Sequence, residues 1–437
     1  MPRKIILAAH FPGVNNTTVW SDPAAGSQIG FSSFRHLART AERGKFDFFF
    51  LAEGLRLREQ RGLIHDLDVV GRPDTLTVLA ALASVTTHLG LAGTLNATFH
   101  EPYELAKQLA TLDHLSGGRA AWNVVTSSGA FFGENFRRGG FLDHADRYTR
   151  AGEFIDTARE LWDSWADLKP DKDTGLYADT GAFAHAGAQF DIAGRFGVPR
   201  SPQGHPVVLQ AGDSDGGREL AAARADAIFS RHHELRDGQE FARDIRARLA
   251  RHGRAPDSLK ILPGVSFVLG DSDADARDKA HEIRRRQVSP QTAILLLEQV
   301  WNRDLSGYDA DGPLPAIDPA GDEQAVHQGR TAQTADRHRT AAEWRARAEA
   351  GNLSIRELII EVTGRQNFIG TPQRVAAELD EYVQTGACDG FILVPHLTPG
   401  GLDGFVDTVV PLLQERGVFR TDYESATLRG NLGLETL

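Results

Sequence analysis

The chain has 437 residues, 41% of them hydrophobic and 24% charged, which suits one α/β barrel with insertions, or two domains, around a large core. Its 48 Lys and Arg against 59 Asp and Glu leave a formal charge of −11, so nucleic-acid binding has no electrostatic support. No apolar run approaches the roughly 18 residues of a membrane span, and Met1-Pro2-Arg3-Lys4-Ile5-Ile6-Leu7 reads as a strand rather than a signal peptide. Cys388 is the single cysteine, which excludes an intramolecular disulfide and any multi-cysteine metal site. The expectation is a cytoplasmic protein with no nucleic-acid or membrane partner.

In chain order, Lys4–Ala9 is a predicted strand and Phe31–Arg43 a helix with apolar residues at helical spacing. Phe46–Leu51 (FDFFFL) is almost wholly apolar, as a strand buried on both faces should be. A helix at Asp74–Thr86, a strand at Leu89–Leu95, a helix at Glu101–Leu115 and a strand at Arg119–Val125 follow. Asp146–Trp165 is a strongly periodic helix. Val207–Gln210 leads to a helix near Gly217–Arg224, and Ala227–Ser230 to one near Phe241–His252. Lys260–Leu269 precedes a helix at Ala274–Gln287, and Gly390–Val394 precedes the last helix, Leu402–Glu415. Eight strand-then-helix units favour a closed (β/α)8 TIM barrel over an open doubly wound sheet.

Two stretches break the alternation and are expected to be insertions within a single domain, residues 1–437. Asp167–Arg200 should be an excursion holding a hairpin, with a β-like piece at Gln189–Ile192. Ser289–Arg365 holds an apolar helix (Ala293–Val300), a Pro/Asp/Gly loop (Ser306–Asp322) and an Arg/Ala-rich helix (Asp336–Ala350). A lid over the barrel mouth, a solvated decoration and a subunit interface all fit this composition.

Barrel active sites lie at the C-terminal ends of the strands. That rule nominates His10, Glu53, Thr94 and Asn96, then Asn123, Thr126 and Ser127, then Gly212 and Ser214, then Arg231, His232 and His233, and finally Phe267 and His396. Glu53 is the only carboxylate close to a strand end, so no glycosidase-like acid pair is evident. His232-His233 lack a carboxylate partner at strand spacing, and no metal site is expected. Polar donors without an acid, base or metal of their own point to chemistry borrowed from a cofactor. Leu209-Gln210-Ala211-Gly212-Asp213-Ser214-Asp215-Gly216-Gly217 runs from strand through a Gly-rich turn into a helix. It reads equally as an anion site or as a plain turn with Ser214 or Asp215 as N-cap, and Asp213 and Asp215 weigh against a phosphate. His144 and Tyr148, four residues apart near a helix start, are spaced to face one pocket.

The runs Ala110-Thr111-Leu112-Asp113-His114-Leu115-Ser116-Gly117-Gly118-Arg119 and Ala121-Trp122-Asn123-Val124-Val125-Thr126-Ser127 resemble the flavin-dependent monooxygenases of the nitrilotriacetate, pristinamycin and dibenzothiophene-sulfone type, within the bacterial-luciferase-like superfamily. His144-Ala145-Asp146-Arg147-Tyr148, Leu209-Gln210-Ala211-Gly212, Gly370-Thr371-Pro372 and Asp389-Gly390-Phe391 carry the same resemblance. It implies a two-component enzyme that takes reduced FMN from a separate NAD(P)H:flavin reductase and oxygenates a small organic substrate with O2 through a flavin peroxide. A deazaflavin-dependent hydride transferase and a flavin-binding protein without catalysis are the alternatives, and a homodimer or higher homo-oligomer is expected. By motif, the FMN ring would sit among Glu53, Asn123, Thr126, His144 and Tyr148, the phosphate at Ala211, Gly212 and Ser214, with His10, His144 and Tyr148 as possible assisting groups. The chain departs from the family pattern at Glu53 (usually Asp), at Asp213 (often Ser) and at Val14-Asn15-Asn16, where a Gly-His pair is usual.

Overall fold

A computed structural model describes residues 2–12, 17–65, 72–127, 130–136, 146–165, 172–175, 180–321, 326–328, 336–364 and 366–435. Eight parallel strands close into a barrel in sequence order: β1 Ile6–Phe11, β2 Phe48–Leu51, β3 Gly90–Asn96, β4 Ala120–Val125, β5 Val207–Gln210, β6 Ala227–Ser230, β7 Lys260–Val265 and β8 Gly390–Leu393. β1 pairs with both β2 and β8, which completes the ring. The helices α1 Phe31–Arg43, α2 Thr75–Ala83, α3 Pro102–Ser116, α4 Asp146–Asp163, α5 Asp215–Arg224, α6 Leu235–Arg251, α7 Pro372–Gln384 and α8 Asp403–Glu415 surround it.

Strand periodicity divides the apolar residues into two cores. Inward residues, among them Ile6, Ala8, Phe48, Phe50, Ala92, Ala121, Val207, Leu209, Ala227, Leu262 and Ile392, fill the barrel. Their sequence neighbours, such as Leu7, Phe49, Leu91, Trp122, Val208 and Phe391, pack outward against the helices. The all-apolar β2 is buried on both faces, as its composition predicts.

The N-terminal end of the barrel is closed by the chain's own end. Leu428, Leu432 and Leu434 join the interior core from below. Gly90 has no room for a side chain, because a Cβ there would lie 2.6 Å from Leu428 Cδ1 and 2.8 Å from the Asp47 carbonyl. Beside this plug, Asp226 accepts the Val208 N–H at 2.9 Å and pairs with the buried Arg429 guanidinium at 2.9 Å. Cys388, immediately before Asp389 and β8, is a buried thiol pushed far up by desolvation, so it is an apolar filler and not a nucleophile.

Three expectations are corrected. The predicted strand Lys260–Leu269 divides at Ser266: β7 stays in the barrel, whereas Phe267–Leu269 pairs with Phe368–Gly370 in a separate two-stranded sheet. The helix after it, Asp273–Gln287, buries only Ala276 and Ala280. The barrel helix before β8 is instead α7, whose Val375, Ala376, Leu379 and Val383 enter the main core. The expected hairpin exists, pairing Ala182–Ala186 with Asp191–Arg195, but Gln189 and Phe190 form its turn rather than a strand, because Glu153 of α4 accepts both their N–H groups.

The insertion packs more tightly than its composition suggests. Its apolar helix, Pro290–Trp301, is covered by Arg337–Gly351 and Ile355–Thr363 in a core of their own. The loop that follows is held by the fully buried Glu298, which accepts the Leu305 N–H at 2.7 Å, and by Trp301 Nε1 donating to the Ile317 carbonyl at 2.9 Å. The apolar face therefore needs no second subunit to cover it.

Asp226→Ala would strand the Arg429 charge and orphan the Val208 amide. The expected cost is about 3–5 kcal/mol of stability, read as a fall in the urea midpoint with little change in slope. A loss below about 1 kcal/mol, the range of an exposed pair, would mean that water already solvates this end of the barrel.

Candidate active site

The alternation that fills the barrel also sets which residues face its C-terminal mouth. His10 continues the inward series of β1, Asn123 that of β4, Ala211 that of β5 and Arg231 that of β6. His10 packs on Phe50 with ring centroids 5.4 Å apart. Burial, with help from the nearby Arg72 charge, lowers its pKa to about 3. The imidazole is therefore neutral at physiological pH, and its Nδ1 is buried without a partner among the described residues.

Arg72 is a residue the sequence reading missed. It donates to the Ala52 carbonyl at 2.6 Å and to the carbonyls of Phe11 and Pro12, tying together the chain that leaves β1 and β2. Burial lowers it to about 10, which still leaves it charged. The only local signal is its place in Arg72-Pro73-Asp74, just ahead of α2, where Asp74 caps the helix by accepting the Thr77 N–H at 2.8 Å. Glu53 lies close by. Burial, then the Asp74 charge, raises its pKa to about 7. The one strand-end carboxylate is thus half protonated near neutrality.

At β3 and β4, Asn123 Nδ2 donates to Thr94 Oγ1 at 2.9 Å, and Asn123 Oδ1 is buried with no donor among the described residues. Asn96 Nδ2 donates to Ser127 Oγ at 2.7 Å, and Thr126 is half-buried beside them. These residues form a rim rich in hydrogen-bonding groups and poor in charge.

The Gly-rich turn resolves into a cap and a hydroxyl pair. Ser214 is the N-cap of α5, accepting the Gly217 N–H at 3.3 Å, and its Oγ also hydrogen-bonds the Tyr148 hydroxyl at 2.7 Å. The Tyr148 ring lies over Gly216, where a Cβ would be only 2.9 Å from ring carbon Cδ2. Gly212 and Gly217 touch so closely that neither has space for a side chain, and the Gly212 N–H is taken by Gln210 Oε1 at 2.7 Å. Arg147 donates to the Tyr148 hydroxyl at 3.1 Å and sits over its ring. What remains open to a ligand is the exposed Ser214, the half-buried Tyr148 and the first-turn amides of α5.

The objection raised by Asp213 and Asp215 is weakened, because each carboxylate is paired with an arginine. Asp213 is paired with Arg218 and His232, each at 2.9 Å, and Asp215 with Arg248 at 2.7 Å. His232 also has the carboxylate partner that strand spacing hid: it bridges Asp213 and Asp237 and stacks on Phe241. Among the described residues no group of three metal-ligating side chains occurs. His144 and the Val14-Asn15-Asn16 departure lie outside the described residues, so the His144–Tyr148 spacing has no structural counterpart here. The structure brings Tyr148 to Ser214, Asn123 to Thr94 and His10 to Phe50, and places Glu53 beside Asp74.

Loops from the mouth carry the insertion. Gln60, after β2, donates to the Leu295 carbonyl at 3.2 Å and to Glu298, and Arg61 pairs with Glu298 at 3.3 Å. Arg56 lies 3.8 Å from the Phe131 ring centroid and pairs with Glu134 at 2.6 Å and Glu59 at 3.2 Å. These arginines are therefore structural ties.

A closed barrel with such a rim matches the family of luciferase-like monooxygenases over residues 11–389, and the chain belongs to that family. It is 40% identical to N-acetyl-S-(2-succino)cysteine monooxygenase of Bacillus subtilis (strain 168), over 99% of this chain and 97% of that one. It is also 40% identical to nitrilotriacetate monooxygenase component A of Aminobacter aminovorans, over 98% and 94%. A riboflavin lyase solved with modified FMN and riboflavin superposes with a TM-score of 0.81 at 29% identity, over 99% of this chain and 97% of that one. Among the described residues, no helix is long and apolar enough to cross a membrane.

The raised pKa of Glu53 has a signed consequence. An unfolded glutamate titrates near 4.5 and the folded one near 7, so the folded protein holds the extra proton between those values and loses stability as pH rises through them. Glu53→Gln should therefore be more stable than the wild type at about pH 8, the gain vanishing toward about pH 4.5. A thermal-denaturation series across that range checks it, and a pH-independent difference would show that Glu53 titrates as an ordinary surface acid.

Proposed function

We propose that this protein is the oxygenase component of a two-component system: it takes reduced FMN from a separate NAD(P)H:flavin reductase and uses O2 to oxygenate a small organic substrate. The observation that carries this reading is the Tyr148–Ser214 hydroxyl pair, with Arg147 beside it, at the start of α5. Dianion binding at a helix N-terminus needs hydroxyl and amide donors and a nearby cation, and this turn supplies them. The buried Asn123 Oδ1 and His10 Nδ1, both lacking partners among the described residues, fit a polar heterocycle in the mouth. The name of the Aminobacter aminovorans relative, a "component A", supports the division of labour.

Reduced FMN, when bound, supplies the electrons that let one oxygen atom enter the substrate while the other leaves as water. This chain's residues then bind, orient and shield. Ser214, Tyr148 and the α5 amides hold the phosphate, with Ala211 and Gly212 giving close backbone approach. By the family motif, Glu53, Asn123, Thr126 and His144 would border the ring, and the unpartnered Asn123 Oδ1 would accept a hydrogen bond there. His10, held neutral, accepts or donates one without adding charge to the site. The insertion over residues 289–365, fastened to the loop after β2 through Glu298, serves as a lid that excludes water during turnover.

The test is a screen of candidate substrates with purified protein, a flavin reductase, NADH, FMN and 18O-labelled O2, reading label in the product. Labelled product from at least one substrate is expected, and reduced deazaflavin without O2 should support no turnover. Ser214→Ala should weaken reduced-FMN binding about tenfold, the range of one hydrogen bond to a charged group. Unchanged affinity in a titration would remove the phosphate from this turn.

A further inference from the structure

Arg231 is the cation at the mouth that the flavin reading leaves unused. It directly follows β6, where Ala227 and Phe229 face the interior and Phe229 stacks on Phe50 at 5.9 Å. The next residue, His232, faces the helix layer, fixed there by Phe241 and two aspartates. Alternation therefore carries Arg231 to the inner rim. Its side chain is exposed and, among the described residues, has neither ion-pair nor hydrogen-bond partner. Only its carbonyl is engaged, by His233. Other arginines near the mouth are held: Arg218 by Asp213 and Asp244, Arg56 by Glu59 and Glu134, Arg72 by backbone carbonyls. Among the described residues no carboxylate is paired with Arg231, and Glu53 lies beside Asp74. A free guanidinium above an aromatic wall suits an amphipathic molecule with an acid at one end. The planar fork of arginine matches a carboxylate bidentately.

We propose that Arg231 is the specificity-determining residue of this mouth, pairing with a carboxylate of the substrate while the substrate's apolar part lies against Phe50 and Phe229. The inference rests on the oxygenase reading above and deepens it by naming the substrate class. FMN has its own anion site at Ser214 and Tyr148, so the two charges do not compete.

The probes are a succinyl thioether, its dimethyl ester and FMN, each titrated into the full-length protein, wild type and Arg231→Met, with flavin fluorescence and calorimetry as readouts. Met keeps the length of the stem and removes the charge. The FMN-loaded wild type should bind the diacid about thirtyfold more tightly than the ester, in the range of a charged hydrogen-bonded contact. Arg231→Met should bind the two within about threefold of each other, with FMN affinity retained, and Arg231→Lys should recover part of the preference for the acid. Equal binding of acid and ester by the wild type, or a preference that survives in Arg231→Met, overturns the assignment while leaving the oxygenase reading intact. A parallel loss of FMN affinity in Arg231→Met moves Arg231 to the flavin and overturns it too. Failure of the wild type to bind FMN at all overturns the oxygenase reading and this inference with it.

Discussion

The structure depends on how the bottom of the barrel is tied. The residue immediately before each even-numbered strand bonds the backbone at, or just ahead of, the start of the strand before it. Asp47, ahead of β2, accepts the Leu7 N–H at 2.9 Å. Arg119, ahead of β4, donates to the Leu89 carbonyl at 2.6 Å. Asp226, ahead of β6, accepts the Val208 N–H at 2.9 Å, and Asp389, ahead of β8, the Ile261 N–H at 2.8 Å. Backbone groups where the parallel ladder begins would otherwise be buried without partners, at a cost of kilocalories each. Three of these side chains then meet an arginine from near the chain ends: Asp47 with Arg420, Asp226 with Arg429, Asp389 with Arg3. The two termini thereby close the barrel end that carries no chemistry.

At the opposite mouth, polar groups are left open to a ligand. Asn123 Oδ1, His10 Nδ1 and the Arg231 side chain have no partner among the described residues, and Glu53 is held near its titration midpoint. A bound ligand can complete such groups. The rim has the same logic in its charges. Arginines that fasten loops are paired, and the aspartates beside the Gly-rich turn are paired with Arg218 and Arg248.

Much of the architecture was legible from periodicity. FDFFFL could only be a strand buried on both sides, and the Gly-rich run after Val207–Gln210 could only be a turn into a helix. The errors share one cause, which is contact between segments distant in sequence. The strand at 260–269 reads as continuous, yet it divides at Ser266 because Phe267–Leu269 finds a partner about a hundred residues later, at Phe368–Gly370. The helix Asp273–Gln287 has helical composition, but α7 carries the larger apolar face and takes the place against the barrel.

By itself the sequence determined the closed parallel barrel and the residue types around its C-terminal mouth, since both follow from local patterns repeated along the chain. Tertiary structure decided the electrostatic state of those residues. His10 and Glu53 are shifted by burial and by Arg72 and Asp74, which reach them only in the folded chain. Asp213 is paired with Arg218 and hydrogen-bonded to His232, and Ser214 is joined to Tyr148 across 66 residues. Whether a charge is free, paired or quenched depends on distance and desolvation, and those exist only once the chain has folded.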